Sequence, residues 1–173
     1  MTSPGKQTEP EEASEGKTYN ACKSCNAGPR RSEDGPVRGM ARGLLTEDRR
    51  DLPTMPTVLV VEDDAPLRQA LIAALAAQGY CAREAGDLDG ALEEIAAARV
   101  DVVLSDVGIP GDGYTLLARV RQLRPRTPVI LMTGIDEDDL GRRARAAGAY
   151  AYLVKPIRLS VLKGTLDGAC LRA

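Results

Sequence analysis

The chain has 173 residues, with 23 Lys or Arg against 25 Asp or Glu, a formal charge of −2 and no histidine. This balance excludes a broad nucleic-acid footprint. The missing imidazole excludes Ser-His and Cys-His nucleophile pairs, histidine metal sites and a phosphohistidine on this chain.

Residues 1–54 carry nine basic and nine acidic side chains and almost no large apolar ones. Such a segment cannot bury enough surface to offset the entropy of ordering its backbone, and a disordered N-terminal tail is expected. Cys22-Lys-Ser-Cys25 has the spacing of half a zinc knuckle, but a structural zinc site needs four ligands. Cys81 and Cys170 fall in predicted core elements, so the ordinary reading is two thiols in a tail. The tail also lacks the apolar stretch of a secretory signal. No run in the chain approaches the roughly 18 apolar residues of a membrane span, so a cytoplasmic protein without membrane contact is expected. Met55 directly precedes the first periodic segment, and residues 55–173 are read as one domain.

From Met55 the pattern alternates. Thr57–Val61 reads as a strand. Ala65–Gln78 reads as a helix with Leu67, Leu71, Ala74 and Leu75 on its inward face. Cys81–Glu84 is a short strand. Asp87–Ala98 is a helix, with Asp87 or Asp89 as N-cap and Leu88, Ala91, Leu92 and Ile95 at i, i+3, i+4 and i+7. Val100–Ser105 is an almost unbroken apolar strand, as expected where both sheet faces are covered. Tyr114–Leu123 follows as a helix with Leu116, Leu117, Val120 and Leu123 inward. Pro128–Met132 is a strand, Asp138–Ala147 a helix ended by Gly148, Ala149–Val154 a strand, and Leu159–Leu171 a last helix. Five βα units with right-handed crossovers give a three-layer αβα sandwich around a five-stranded parallel sheet.

Polar residues mark the strand ends. Glu62 and Asp63 follow Val58-Leu59-Val60-Val61, Asp106 follows Val102-Val103-Leu104-Ser105, Thr133 follows Val129-Ile130-Leu131-Met132, and Lys155-Pro156 follows Tyr152-Leu153-Val154. Open parallel sheets bind ligands outside their strand carboxyl ends, so these groups converge on one crevice. Taken singly, each has an ordinary reading. Glu62, Asp63 and Asp64 suit a helix N-terminus, Lys155 could be a solvated lysine, Thr133 a strand-end threonine and Tyr152 a half-buried strand tyrosine.

Taken together, Val58–Asp64, Ser105–Pro110, Thr133-Gly134 and Tyr152–Pro156 resemble the receiver domain of bacterial two-component response regulators, from Val58 to about Leu171. The resemblance implies the flavodoxin-like fold of the chemotaxis regulators and makes Asp106 the phosphoacceptor. It places Mg²⁺ on Asp63, Asp106 and the backbone carbonyl of Gly108, with Glu62 assisting through water or an outer-shell bond. Lys155 contacts the acceptor and then the phosphoryl group, and Thr133 donates its hydroxyl to a phosphoryl oxygen. Tyr152 is the switch aromatic, exposed at rest and turned inward once Thr133 moves. Receivers typically have a cis peptide at the position of Lys155-Pro156. In one departure, only Gly111 separates Pro110 from Asp112-Gly113 where receivers usually have two residues, so the turn into the third helix is shorter. Gly108 also offers no side chain to steer an attacking water.

The resemblance implies a phosphorelay protein that is not an enzyme beyond its own phosphorylation and dephosphorylation. Because the chain ends soon after the last helix, a stand-alone receiver without a DNA-binding domain is expected. Its donor would be a sensor histidine kinase or a histidine phosphotransfer protein, and its output a downstream protein target. Its readout face would run over the fourth helix, fifth strand and fifth helix, where Arg142, Arg143 and Arg145 are either a solvated face or partner contacts. The main alternative is a pseudo-receiver that docks proteins without being phosphorylated. A haloacid-dehalogenase-type phosphatase needs an acid two residues after its nucleophile, where this chain has Gly108. A flavin or nucleotide binder needs a phosphate-cradling loop after its first strand, where this chain has three acids.

Overall fold

A computed structural model describes residues 55–135 and 138–172. The tail expected over 1–54, with Cys22 and Cys25, lies outside the described residues. Five strands alternate with five helices: β1 Thr57–Val61, α1 Ala65–Ala77, β2 Cys81–Ala85, α2 Leu88–Ala97, β3 Val102–Asp106, α3 Gly113–Leu123, β4 Val129–Thr133, α4 Asp138–Ala147, β5 Ala151–Val154 and α5 Leu159–Cys170. All strand pairings are parallel, in the order β2-β1-β3-β4-β5. The chain runs outward from β1 in both directions, so the topological switch point lies between β1 and β3. The flavodoxin-like sandwich expected from the sequence is the fold observed. Among the described residues no helix is long and apolar enough to cross a membrane.

Alternating side chains divide the strands between two cores. Leu59, Val61, Val103 and Leu131 pack with Ala91 and Ile95 of α2, Leu116, Leu117 and Val120 of α3, and Ala144 of α4. Val58, Val60, Val102, Leu104, Ile130 and Met132 pack with Leu75 of α1 and Leu162, Leu166 and Ala169 of α5. Burial on both faces explains why these strands read as apolar runs rather than as alternating ones. Cys81 is buried in β2 and Cys170 half-buried in α5.

Two inward assignments are corrected. Leu67 is 37% exposed and Leu123 is 55% exposed. The inward stripe of α1 passes through Arg68, Leu71, Ile72 and Leu75, one position round from the expected face. Leu123 is the last residue of α3, beyond its buried stripe of Leu116, Leu117 and Val120.

The helix starts follow their caps. Asp64 accepts from the Leu67 amide at 2.8 Å, and Pro66 sits in the first turn, where no intrahelical donor is needed. Asp87, not Asp89, caps α2 through the Gly90 amide at 2.8 Å. The shortened turn before α3 is closed by two successive left-handed residues, Gly111 at φ 92° and Asp112 at φ 69°. Asp112 nevertheless caps α3, accepting from the amides of Tyr114 and Thr115.

Strain and capping therefore compete at Asp112. Asp112→Gly loses the cap, a few tenths of a kcal/mol relative to other caps, and relieves left-handed strain of about 1 kcal/mol. Asp112→Ala loses the cap and keeps the strain. Chemical denaturation should find the glycine variant at or slightly above wild type, and the alanine variant about 1–2 kcal/mol below it.

Candidate functional site

The site lies at the carboxyl edge of β1, β3, β4 and β5. Register brings its parts level: Val61 pairs with Ser105, Asp106 with Met132, and Thr133 with Val154. Glu62 and Asp63 follow β1, Asp106 closes β3, Thr133 closes β4, and Lys155 follows β5. The Val107 amide bonds to the Met132 carbonyl at 2.8 Å and the Lys155 amide to the Thr133 carbonyl at 2.7 Å, so the ladder continues into the loops that carry the site.

The Lys155 ammonium bridges two acids. Its Nζ lies 2.7 Å from Glu62 Oε2 and 3.1 Å from Asp106 Oδ1. Glu62 is only 2% exposed. The other acceptor oxygen, Asp106 Oδ2, takes a bond from the Gly108 amide at 3.1 Å. Glu62, Asp63 and Asp106 can each bring one carboxylate oxygen within 4.8 Å of the others. The Lys155–Pro156 peptide is cis.

Three carboxylates against one ammonium leave an excess of two negative charges, and the titration of the cluster reflects it. Burial pushes the Glu62 carboxyl above its ordinary value; Lys155 pulls it back only partly, while Asp106 and Asp63 push it further up. Burial works against the Lys155 ammonium, but its hydrogen bonds to Glu62 and Asp106, and their charges, outweigh that and raise it. Burial is thus the main cause at Glu62, and the neighbouring carboxylates the main cause at Lys155. A compact set of hard oxygen donors with that excess fits a divalent cation such as Mg²⁺ or Ca²⁺, and the exposed Asp63 leaves it open to solvent.

Thr133 is 5% exposed and its Oγ1 accepts from the Ile135 amide at 3.1 Å. Tyr152 is not freely exposed, as expected at rest, but half-buried: its ring packs against the core on the α2–α4 side, and its hydroxyl donates to the Ile135 carbonyl at 3.4 Å. The backbone of Ile135 supplies a bond on each side, its amide to Thr133 and its carbonyl to Tyr152. Thr133 and Tyr152 therefore meet through the backbone of one residue.

The family model for the response regulator receiver domain matches residues 58–167. The chain belongs to the response regulator receiver family. Among curated relatives, the receiver is 36% identical to a sensor kinase, CckA, of Brucella abortus, over 79% of this chain and 15% of that protein. It is 36% identical to the DNA-binding transcriptional regulator NtrC of Rhizobium meliloti, over 67% of this chain and 24% of that protein. Among solved structures it resembles the chemotaxis response regulator CheY4 of Vibrio cholerae, at 33% identity and TM-score 0.62, covering 67% of this chain and 99% of that one.

These relatives correct the expected partners. The receiver spans less than a quarter of the first curated proteins it matches, which are named as sensor kinases and DNA-binding regulators. In them the similar segment sits within a longer polypeptide. The expectation of a stand-alone receiver with a separate kinase or phosphotransfer partner, a downstream protein target and no DNA-binding domain is therefore withdrawn. The reason is physical: a receiver closes its own core with its own two helical layers, so its residues do not report what is joined to it.

Two residues of the receiver's site went unread in the sequence. Ser105, fully buried, donates its hydroxyl to the Asp106 carbonyl at 2.8 Å. Arg68 of α1 bonds to the Glu62 carbonyl at 2.6 Å. A serine inside an apolar run was the available signal for the first. An arginine six residues after an acid pair reads only as a helix-surface cation. On the expected readout face, Arg142 pairs with Asp139 at 3.2 Å and the Arg143 guanidinium lies 5.9 Å from the Tyr114 ring centroid.

Proposed function

We propose that this receiver takes a phosphoryl group from a phosphohistidine onto Asp106 and signals through the resulting change in conformation. The observation that carries this reading is the Asp106 carboxylate, held by Lys155 at 3.1 Å and by the Gly108 amide at 3.1 Å, beside the acids Glu62 and Asp63.

In the transfer, one Asp106 oxygen forms a bond to phosphorus while the phosphorus–nitrogen bond to the donor imidazole breaks, its electron pair leaving with the nitrogen. The chain contains no histidine, so the donor lies outside these residues. Phosphoryl transfer depends mostly on position and charge. Lys155 fixes the acceptor and offsets the charge of the incoming group. Glu62, Asp63 and Asp106 would hold Mg²⁺, which when bound shields the acceptor carboxylate from the phosphoryl oxygens. We read catalysis as limited to the receiver's own phosphorylation and dephosphorylation. We place this reaction in the cytoplasm as part of the same reading.

The phosphoryl group brings roughly −1.5 to −2 charge. Thr133 accepts one bond from Ile135 and keeps its own proton to donate to a phosphoryl oxygen. Moving toward it would release the Ile135 amide, one of the two bonds that hold the backbone of Ile135 between Thr133 and Tyr152. Contacts that exist only in the phosphorylated state shift a two-state equilibrium, here on the face of α4, β5 and α5.

Incubation with Mg²⁺ and acetyl phosphate, followed by intact mass measurement, should show one phosphoryl adduct on wild type and none on Asp106→Asn. A wild-type protein that stays unmodified with this donor and with a histidine kinase would leave only the docking reading.

A further inference from the structure

We propose that Arg68 is a positioning residue for the cation-binding acids: it gathers the backbone of the β1–α1 turn so that Glu62 and Asp63 are presented to Asp106. The inference rests on the phosphoacceptor reading above.

Three successive carbonyls end on this one residue. The Arg68 backbone amide bonds to the Asp64 carbonyl at 2.9 Å. Its side chain turns back, and Nη1 reaches the Glu62 carbonyl at 2.6 Å and the Asp63 carbonyl at 3.5 Å. Fixing these carbonyls fixes the peptide planes from which the Glu62 and Asp63 side chains depart.

The guanidinium is itself anchored. Nε bonds to Glu84 Oε2 at 3.1 Å, and Gln69 Nε2 reaches the same oxygen at 2.6 Å. Glu84 lies in β2, beside β1, so the turn is tied to the neighbouring strand as well as to its own helix. The Arg68 side chain is 17% exposed. An arginine whose role was a solvated charge would not be packed between two carbonyls and a carboxylate.

The arrangement matters most for Asp63. Glu62 is buried and held by Lys155, but among the described residues no hydrogen bond reaches the Asp63 carboxylate. Its placement depends on its backbone, and the backbone depends on Arg68. The geometry uses the arginine fork, with Nε on Glu84 and Nη1 on the turn, and a lysine has no second nitrogen with which to do both.

The test is Mg²⁺ affinity by titration calorimetry on the full chain, with melting temperature measured without Mg²⁺. Residues that orient metal ligands typically cost 10–100-fold in metal affinity when replaced. Arg68→Lys and Arg68→Met should each weaken Mg²⁺ binding about tenfold. Glu84→Gln, whose side chain is 43% exposed, should fold normally and weaken it by a smaller factor. It decides the matter if the Arg68 variants unfold. A purely structural role would lower the melting temperature and leave the dissociation constant unchanged; that result, or Mg²⁺ affinity restored by lysine, overturns the proposal. If wild type binds no Mg²⁺, this inference and the phosphoacceptor reading fall together. If wild type binds Mg²⁺ and the folded variants bind it equally well, only this one falls.

Discussion

Lys155→Met should destabilise the receiver by about 2 kcal/mol at pH 8, less than the 3–5 kcal/mol of a fully buried pair because the lysine side chain is 22% exposed. The loss comes from Glu62, which is left buried beside Asp63 and Asp106 without its ammonium. The pH dependence follows from the sign of each shift. Lys155 is raised in the folded protein, so its contribution is complete below its ordinary value and fades only as alkaline pH passes its raised one. Glu62 is also raised, chiefly by burial, so its ionisation opposes folding, and stability is lost as pH rises through its titration. Without Lys155 that titration moves higher still. The penalty should therefore be smaller in mildly acid solution than at pH 8, because the raised Glu62 carboxyl takes up its proton more readily as the pH falls. Urea denaturation at the two pH values measures it. Adding Glu62→Gln to Lys155→Met should recover most of the lost stability, since the pair is coupled. A penalty independent of pH, or no recovery in the double variant, would mean that the ion pair does not govern stability here. Phosphoryl uptake should stay low in both variants, because neither has the ammonium beside Asp106.

Gly113→Ala should cost about 3 kcal/mol, although alanine in a helix is ordinarily about 1 kcal/mol better than glycine. An added Cβ would stand 2.5 Å from the Asp106 carbonyl oxygen and 2.9 Å from the Val107 Cα. Both are backbone atoms, and neither can move without displacing the acceptor loop. Gly148 makes the contrast. There an added Cβ would overlap the Arg121 guanidinium, the far end of a flexible side chain, though its own φ of 92° would still be strained. Thermal unfolding followed by circular dichroism should place Gly113→Ala well below wild type. The same protein, at a temperature where it remains folded, should take up phosphate more slowly, because the displaced atoms belong to Asp106 and Val107. Unchanged stability would show that the start of α3 can shift away from β3.

How far the sequence carried depended on whether a residue's role was local. The strands were legible because burial on both faces makes Val58–Val61 and Val129–Met132 continuously apolar. The helix starts were legible in Asp64 and Asp87, whose capping bonds reach only three residues ahead. The convergence of Glu62, Asp106, Thr133 and Lys155 followed from parallel strands, because each ends its own apolar run. The Arg68 clamp was not legible. Its partner Glu84 lies 16 residues away on another strand, and nothing in a helical arginine announces that it turns back on its own turn. The half-buried ring of Tyr152 matches its ordinary reading as a strand tyrosine, but its bond to the Ile135 carbonyl across a loop was not legible. Leu67 and Leu123 show the limit of periodicity, which marks a stripe but not where the packed surface beneath it stops.

The lysine that joins Glu62 to Asp106 has one more consequence. A cation tethered to the chain can hold the place of the one that, on the proposed reading, would arrive from solution. With it in place, the acids can be brought together while the protein folds, and much of the work of crowding like charges is done before any ion is encountered. Loading would then be an exchange of partners among groups already assembled, rather than the event that assembles them.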